Sequence, residues 1–314
     1  MTTTTTTTMT TTSATTTKRR RLFALALLAL IGLTAGCKQD LNYQAVQLAD
    51  DDGSNQAPIT RAQVKLWVDE ANKSYDPDFA FVFDSANNSP DFELWENTIL
   101  NSVPVDDAAQ SKYDLIGNFL AVAFYPDRIV TYYRARGGGG WSWGPTGLHY
   151  VSMPSYDNTS INKPSPGSPN DTLLAHELGH YLGLPHTFGG FCCEDPNCNT
   201  TDCTANCTPG TACNPCNLFT LANADGDAGG QDYNTATPGD NITDTAADPR
   251  PDCAPTASLN CPGGSVTING TTYNPPWKNI MTYHDCLPEY VSPSQVGVIE
   301  KVLKDPYRAP VVDD

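Results

Sequence analysis

His176-Glu177-Leu178-Gly179-His180-Tyr181-Leu182-Gly183-Leu184-Pro185-His186 decides how this chain is read. Three of the five histidines of a 314-residue sequence sit in this one stretch. Residues four apart on a helix share a face, one turn above the other, so His176 and His180 can both reach one ion. Gly183 adopts a positive φ at little cost, which lets the helix stop and the chain reverse, bringing His186 in as a third ligand. Three nitrogen ligands leave one corner of a zinc tetrahedron open, the pattern of a catalytic rather than a structural site. The spacing therefore predicts zinc on His176, His180 and His186, with Glu177 beside it as general base toward a water. Leu174, Leu178 and Tyr181 form an apolar stripe that seats the helix, and Asn170 or Asp171 can cap it. The plainer reading, a helix of solvated histidines ending in a turn, requires five specified positions to fall in register by coincidence.

A second segment, Asn279-Ile280-Met281-Thr282-Tyr283, lies downstream of Pro275 and Pro276. Alone, Met281 reads as core and Tyr283 as a packed phenol. Together with the histidine motif, the pair resembles the Met-turn of the metzincin metallopeptidases. Within that clan the chain is similar to the pappalysin family, including the ulilysin-type bacterial enzymes. The matching words are His186-Thr187-Phe188-Gly189-Gly190, Gly239-Asp240-Asn241-Ile242-Thr243-Asp244-Thr245, and the Met-turn followed by Cys286. Ser292-Pro293-Ser294-Gln295 then opens a final helix, as in that family. The resemblance runs from about Ser168 to Leu303 and is only general upstream.

The resemblance implies a zinc-dependent endopeptidase acting on proteins or peptides. Met281 would be an apolar floor under the histidines, and Tyr283 a donor to the charge that develops on the scissile carbonyl. It implies disulfides between Cys253 and Cys286 and between Cys261 and Cys192 or Cys193. It also puts Asp285 where ulilysin-type enzymes select arginine or lysine at the first primed position, although Tyr283-His284-Asp285-Cys286 is shorter than their loop. Asp240 and Asp244 belong to the word that comes near calcium in those enzymes. Upstream, Asn223 to Asp232 alternates oxygen donors, among them Asp225 and Asp227, with glycines, like a calcium loop. It departs from the EF-hand pattern, with Ala228 at the sharp-turn position and no closing glutamate. Structural calcium is thus an expectation at these four aspartates, and acidic solvated turns are the other reading.

The N-terminus carries targeting signals rather than fold. Residues 1–17 are threonine-rich low complexity, either a misplaced start codon or a real extension. Residues 18–36 read as a signal peptide: Lys18-Arg19-Arg20-Arg21, then an apolar run from Leu22 to Leu33, too short to span a bilayer comfortably. Leu33-Thr34-Ala35-Gly36-Cys37 resembles a bacterial lipobox, with Thr34 where leucine is commonest. It makes Cys37 the lipid attachment point of an outer-membrane or cell-surface lipoprotein; cleavage nearby would instead give a secreted protein. Ten cysteines follow Cys37, an even set that in an exported chain argues for disulfides. Six of them would staple an insert at 192–216; Cys213-Asn214-Pro215-Cys216 also has zinc-pair spacing but lacks a clean second pair.

Removing the four basic residues of the leader takes the net charge from −17 to −21. Such a chain has no general attraction to nucleic acid or anionic lipid, so the membrane enters only through the anchor. Residues 37–58 read as a polar tether, and 59–314 as one catalytic domain of α+β class. That domain is expected to have a twisted mixed sheet and the active-site helix in its upper half, and an irregular, disulfide-tied lower half closed by a C-terminal helix. Helical spacing predicts Arg61 to Tyr75 and, at the end, about Pro293 to Leu303. Strands are expected at Phe79 to Phe83, Phe119 to Tyr125 and Ile129 to Tyr133, with weaker candidates at Leu115 to Asn118 and Gly147 to Met153. The Gly137–Gly140 run with Trp141 and Trp143 is either a flexible tip that grips substrate or a hairpin end whose indoles fold back onto the sheet. His149 is expected to be a packed or exposed histidine rather than a ligand.

A rival from another class is a surface-attached binding or adhesion protein that keeps a zinc site without turnover. The acidic loops and cysteine-rich insert would suit it. It gives no reason for Glu177, three histidines and Tyr283 to stand intact together.

Overall fold

A computed structural model describes residues 38–137, 139–142, 144, 148–155, 172–187, 240, 242, 244–246, 265–268, 271–282 and 289–313. All the described elements lie in the unit that begins at Gln39. Its frame is a five-stranded sheet built on β1 (Gln39–Ala49). Along one edge β1 pairs with β4 (Ile129–Arg134), which pairs in turn with β5 (Tyr150–Pro154). β2 (Phe79–Val82) pairs with Gln39 to Asn42, and β3 (Phe92–Glu96) with Ala45 to Ala49. The amides of Gln39 and Ala45, an even number of residues apart, point to one edge and bond Asp78 O and Asp91 O, so β2 and β3 share that edge.

Every one of these pairings is parallel, which corrects the expectation of a mixed sheet. Among the described residues, antiparallel contact with this sheet enters at the isolated bridges Trp141 to Ser152 and Leu41 to Val312. Parallel strands need crossovers, and helices supply them. α1 (Arg61–Tyr75) joins β1 to β2, and α2 (Asp107–Phe124) joins β3 to β4.

The centrality of β1 overturns the tether over 37–58. Leu41, Tyr43 and Ala45 enter the core on one face of the sheet, while Val46 and Leu48 enter the core on the other. A strand buried on both faces shows no apolar–polar alternation. Its polar residues are buried too. Gln47 donates to the carbonyls of Ala57 and Ile59 at 2.6 and 2.9 Å, and Gln44 donates to Pro90 O at 2.9 Å. The strand starts at Gln39, two positions after Cys37 in the sequence.

The strands expected at Phe119 to Tyr125 and Leu115 to Asn118 are instead the second half of α2. Asp106 caps this helix through the Ala109 amide at 2.8 Å. Tyr113, Gly117 and Ala121 pack inward at helical spacing, leaving Leu115 and Phe119 exposed. The run of apolar residues is thus divided between two environments, which a strand reading cannot detect. α1 buries Val64, Trp67, Val68 and Ala71, closes its start with a Thr60/Gln63 capping box, and matches its predicted limits. Among the described residues the remaining elements are α3 (Leu173–Tyr181), the β6–β7 hairpin (Val266–Ile268 with Thr271–Tyr273), α4 (Pro293–Val302) and a 3-10 turn at Ala309–Val311. All the cysteines, and with them the disulfide pairings and the insert at 192–216, fall outside the described residues.

Candidate metal centre

Leu174, Leu178 and Tyr181 are fully buried in the core that also holds Trp67, Tyr75 and Met281. That stripe presses α3 onto the sheet, and the Tyr75 hydroxyl donates to Ala175 O at 2.8 Å. The N-cap position is Thr172, which makes no side-chain cap bond; Asn170 and Asp171 lie outside the described residues. At the other end the Leu184 amide bonds Gly179 O at 2.8 Å, the Gly183 amide bonds His180 O at 2.9 Å, and Gly183 sits at φ +91°. This is the Schellman closure, and it needs a residue that tolerates a left-handed backbone.

The reversal brings three imidazoles together. His186 Nε2 lies 3.0 Å from His180 Nε2 and 3.2 Å from His176 Nε2. The two remaining ring nitrogens of the helix histidines face carbonyls: His176 Nδ1 is 2.6 Å from Ile280 O, and His180 Nδ1 is 2.8 Å from Leu184 O. A carbonyl can only accept, so both Nδ1 atoms carry the proton and each Nε2 is the ring nitrogen that bears the lone pair. Zinc bonds of about 2.0–2.1 Å in a tetrahedron put ligand nitrogens roughly 3.3 Å apart, close to the observed spacing. Burial pushes His176 down to about 4; burial and the neighbouring His176 push His180 down to about 3. The rings are therefore neutral at pH 7, as ligation requires. Among the described residues this triad is the group of three or more side chains able to hold a metal ion.

Glu177 is 4% exposed, and burial pushes its carboxyl up to about 8 against the opposing pull of Arg134 and the Ser142 amide. Its Oε2 is buried with no hydrogen-bond partner. An orphaned carboxylate oxygen beside three converging nitrogens is what a site built for a dication and a proton-donating water contains.

The lower half holds the histidines through backbone. Ile280 supplies the carbonyl to His176, and Met281 O accepts from the Thr187 amide at 3.1 Å. Met281 is fully buried, and a Cβ placed on Gly179 would meet its Sδ at 2.3 Å. The Met281 amide bonds Asn279 Oδ1 at 3.0 Å, and Asn279 Nδ2 donates to Gln295 Oε1 at 2.7 Å. Gln295 also completes the Ser292 capping box of α4. Sequence reading missed Asn279 and Gln295, whose pairing spans sixteen residues. It also passed over Gly179, although an isolated glycine inside a helix pattern already signals a close approach.

Asp240 and Asp244 are each engaged by hydrogen bonds from the protein. Asp240 Oδ1 accepts from the Ile242 amide at 3.0 Å and from the Thr245 hydroxyl, its other oxygen is buried without a partner, and burial pushes it up to about 6. Asp244 caps α4, accepting from Ser292 Oγ at 2.6 Å and the Ser294 amide at 2.8 Å. Asp225, Asp227, Tyr283 and Asp285 lie outside the described residues, as do Cys37 and Trp143. Trp141 packs inward, its ring 5.1 Å from Tyr113. His149 stands apart from the triad, 6.1 Å from the Tyr307 ring, and burial pushes it down to about 4.

No family profile and no curated protein sequence matches the chain. Among solved structures, mirolysin in complex with compound 9 superposes with a TM-score of 0.53, covering 88% of this chain and 96% of that one at 12% identity. A promirolysin mutant from Tannerella forsythia gives 0.50, covering 95% and 92% at 13% identity. The chain has the fold of mirolysin. The pappalysin-type resemblance rests on motifs between about Ser168 and Leu303, and the backbone likeness to mirolysin extends over 88% of the chain.

Proposed function

We propose that this protein is a zinc-dependent endopeptidase that hydrolyses peptide bonds of extracellular proteins or peptides. The observation that carries the reading is the convergence of three Nε2 atoms next to a buried glutamate with one unpartnered oxygen. The fold shared with mirolysin supports it.

Zinc held by His176, His180 and His186 would supply a Lewis acid that polarises the scissile carbonyl and acidifies a water. Glu177 accepts that water's proton at Oε2 and delivers it to the leaving amine. A nearby dication favours the carboxylate form, so a loaded site offsets the burial that holds the Glu177 pKa high. The carbonyls of Ile280 and Leu184 fix the ring planes, and Met281 keeps water from beneath them. Tyr283 is assigned the hydrogen bond to the developing oxyanion. Asp285 as a pocket for a basic side chain is testable with peptides differing only in Arg, Leu or Asp at the first primed position.

The test is zinc analysis of the purified protein with a casein digest, wild type against Glu177→Ala. One zinc per chain and a loss of about 10²–10⁴-fold in the variant are expected. Equal cleavage by both would point to a contaminant and to the binding-protein alternative. We further propose export and lipid attachment at Cys37, on the basis of the leader and lipobox-like words; among the described residues no helix is long and apolar enough to cross a membrane. Mass spectrometry of the N-terminal peptide from cells should find diacylated Cys37, and an unmodified mature terminus would refute it.

A further inference from the structure

Arg134, the last residue of β4, is fully buried. Burying a guanidinium costs several kcal/mol before its partners offset it, about as much as a whole domain has to spare. Its partners include two residues of the short segment Gly139–Ser142. The guanidinium carbon lies 4.1 Å from the centre of the Trp141 ring, NH1 donates to Ser152 Oγ at 3.0 Å, and NH2 donates to Gly139 O. Tyr113 completes the enclosure, its ring 5.1 Å from Trp141 and its hydroxyl 2.8 Å from the same Ser152 Oγ.

Trp141 is tied to β5 by two backbone bonds of 2.9 Å with Ser152, in antiparallel sense. The segment is therefore a short strap laid along the edge of the sheet. Side chains alternate along such a strand, so Trp141 goes to the α2 face while Gly140 and Ser142 go to the other. That other face carries Glu177. A Cβ added at Gly140 would lie 2.7 Å from Glu177 Cγ and 2.8 Å from its Oε1, so the strap backbone rests on the glutamate itself.

Resting on the peptidase reading, we propose that Arg134 is a positioning residue: through Trp141 and the Gly139 carbonyl it holds the strap against Glu177, so that the carboxylate keeps one orientation beside the histidines. A methionine could fill the same volume, but it could neither bond Gly139 O nor attract the indole face. With Arg134 replaced, the strap lifts and Glu177 gains rotamers, and misplacing a catalytic group by about 1 Å costs on the order of 10²-fold in rate.

The test compares Arg134→Met and Arg134→Lys with wild type in zinc-loaded protein. Peptide hydrolysis should show kcat lowered by about 10–100-fold for Arg134→Met with KM within about threefold, and a partial recovery for Arg134→Lys, which keeps a cation and a donor. Zinc per chain should be unchanged. Hydrogen exchange, which needs no activity, should show the Trp141 and Ser152 amides opening at least about tenfold faster in both variants while β1 and β4 stay protected. Faster exchange throughout the sheet, or kcat lost only in step with zinc, would make Arg134 a stability residue and overturn the proposal. Unchanged kcat with unchanged exchange at Trp141 would overturn it too. Should wild type itself cleave nothing, the peptidase reading fails, and the exchange comparison still decides whether Arg134 holds the strap.

Discussion

Gly179→Ala puts two physical effects in opposition. An alanine in a helix interior is favoured over glycine by about 1 kcal/mol, so propensity alone predicts a more stable protein. Packing predicts the reverse. The new Cβ would lie 2.3 Å from Met281 Sδ, 3.3 Å from Met281 Cε and 3.2 Å from the Tyr75 hydroxyl. Non-bonded carbon contacts sit near 3.5–4.0 Å, so the sulfur has to withdraw by more than about 1 Å. Met281 is fully buried, so its side chain must withdraw into a packed core, and any residual push passes to its backbone. That backbone accepts from the Thr187 amide at 3.1 Å, and its neighbour Ile280 supplies the carbonyl 2.6 Å from His176 Nδ1. Overpacking costs about 1–3 kcal/mol, and losing the outer partner of a ligating histidine costs about 10–100-fold in metal affinity. The expected result is zinc binding weakened by roughly that factor, read by competition with a chromophoric chelator, with the zinc-dependent gain in Tm reduced in step. Adding Met281→Ala should make room, so the alanine at 179 should cost little in that background. A Gly179→Ala protein that binds zinc as wild type does and is about 1 kcal/mol more stable would show that the methionine does not support the histidines.

Three further outcomes follow from the same geometry. The folded pKa values of His176 and His180 lie below the ordinary histidine value, at about 4 and about 3. Their contribution to stability is therefore whole above about pH 6.5 and is lost as pH falls toward 4, since the unfolded chain takes up protons first. Zinc should accordingly stay bound at pH 5.5 and leave below about pH 5, as dialysis and metal analysis can establish; release centred near 6.5 would contradict the burial argument. Glu177 shifts the other way, to about 8. Its folded form keeps a proton that the unfolded chain has released, so zinc-free protein loses stability as pH rises from about 4.5 to 8. Glu177→Gln should stabilise the zinc-free protein by roughly 2–4 kcal/mol at pH 7, and by almost nothing below pH 4.5; a difference independent of pH in denaturant melts would rule this out. In the digest of wild type against Glu177→Ala, chelator should abolish wild-type cleavage and added zinc should restore it.

What the linear sequence carried is strongest where chemistry is local. The histidine spacing, the glutamate and the helix-ending glycine all lie within about three helical turns, so their relative positions follow from backbone periodicity alone. α1 was legible for the same reason: its cap and apolar stripe occupy one continuous segment. β1 was not, because glutamines and an asparagine interrupt its apolar residues, and only carbonyls from distant loops make their burial tolerable. α2 was mistaken in part for strand because its apolar residues run on almost continuously, while of its residues only Tyr113, Gly117 and Ala121 are buried.

The sequence by itself thus determined which atoms can hold a metal and which carboxylate stands beside them. The tertiary structure decided what aims and confines those groups: Ile280 O on His176, Met281 against Gly179, and the strap pinned by Arg134 over Glu177. Ligand identity is set by side-chain chemistry at fixed local spacing. Orientation also needs contacts between residues far apart in the chain, 104 positions for Ile280 and His176, and chain folding alone brings these together.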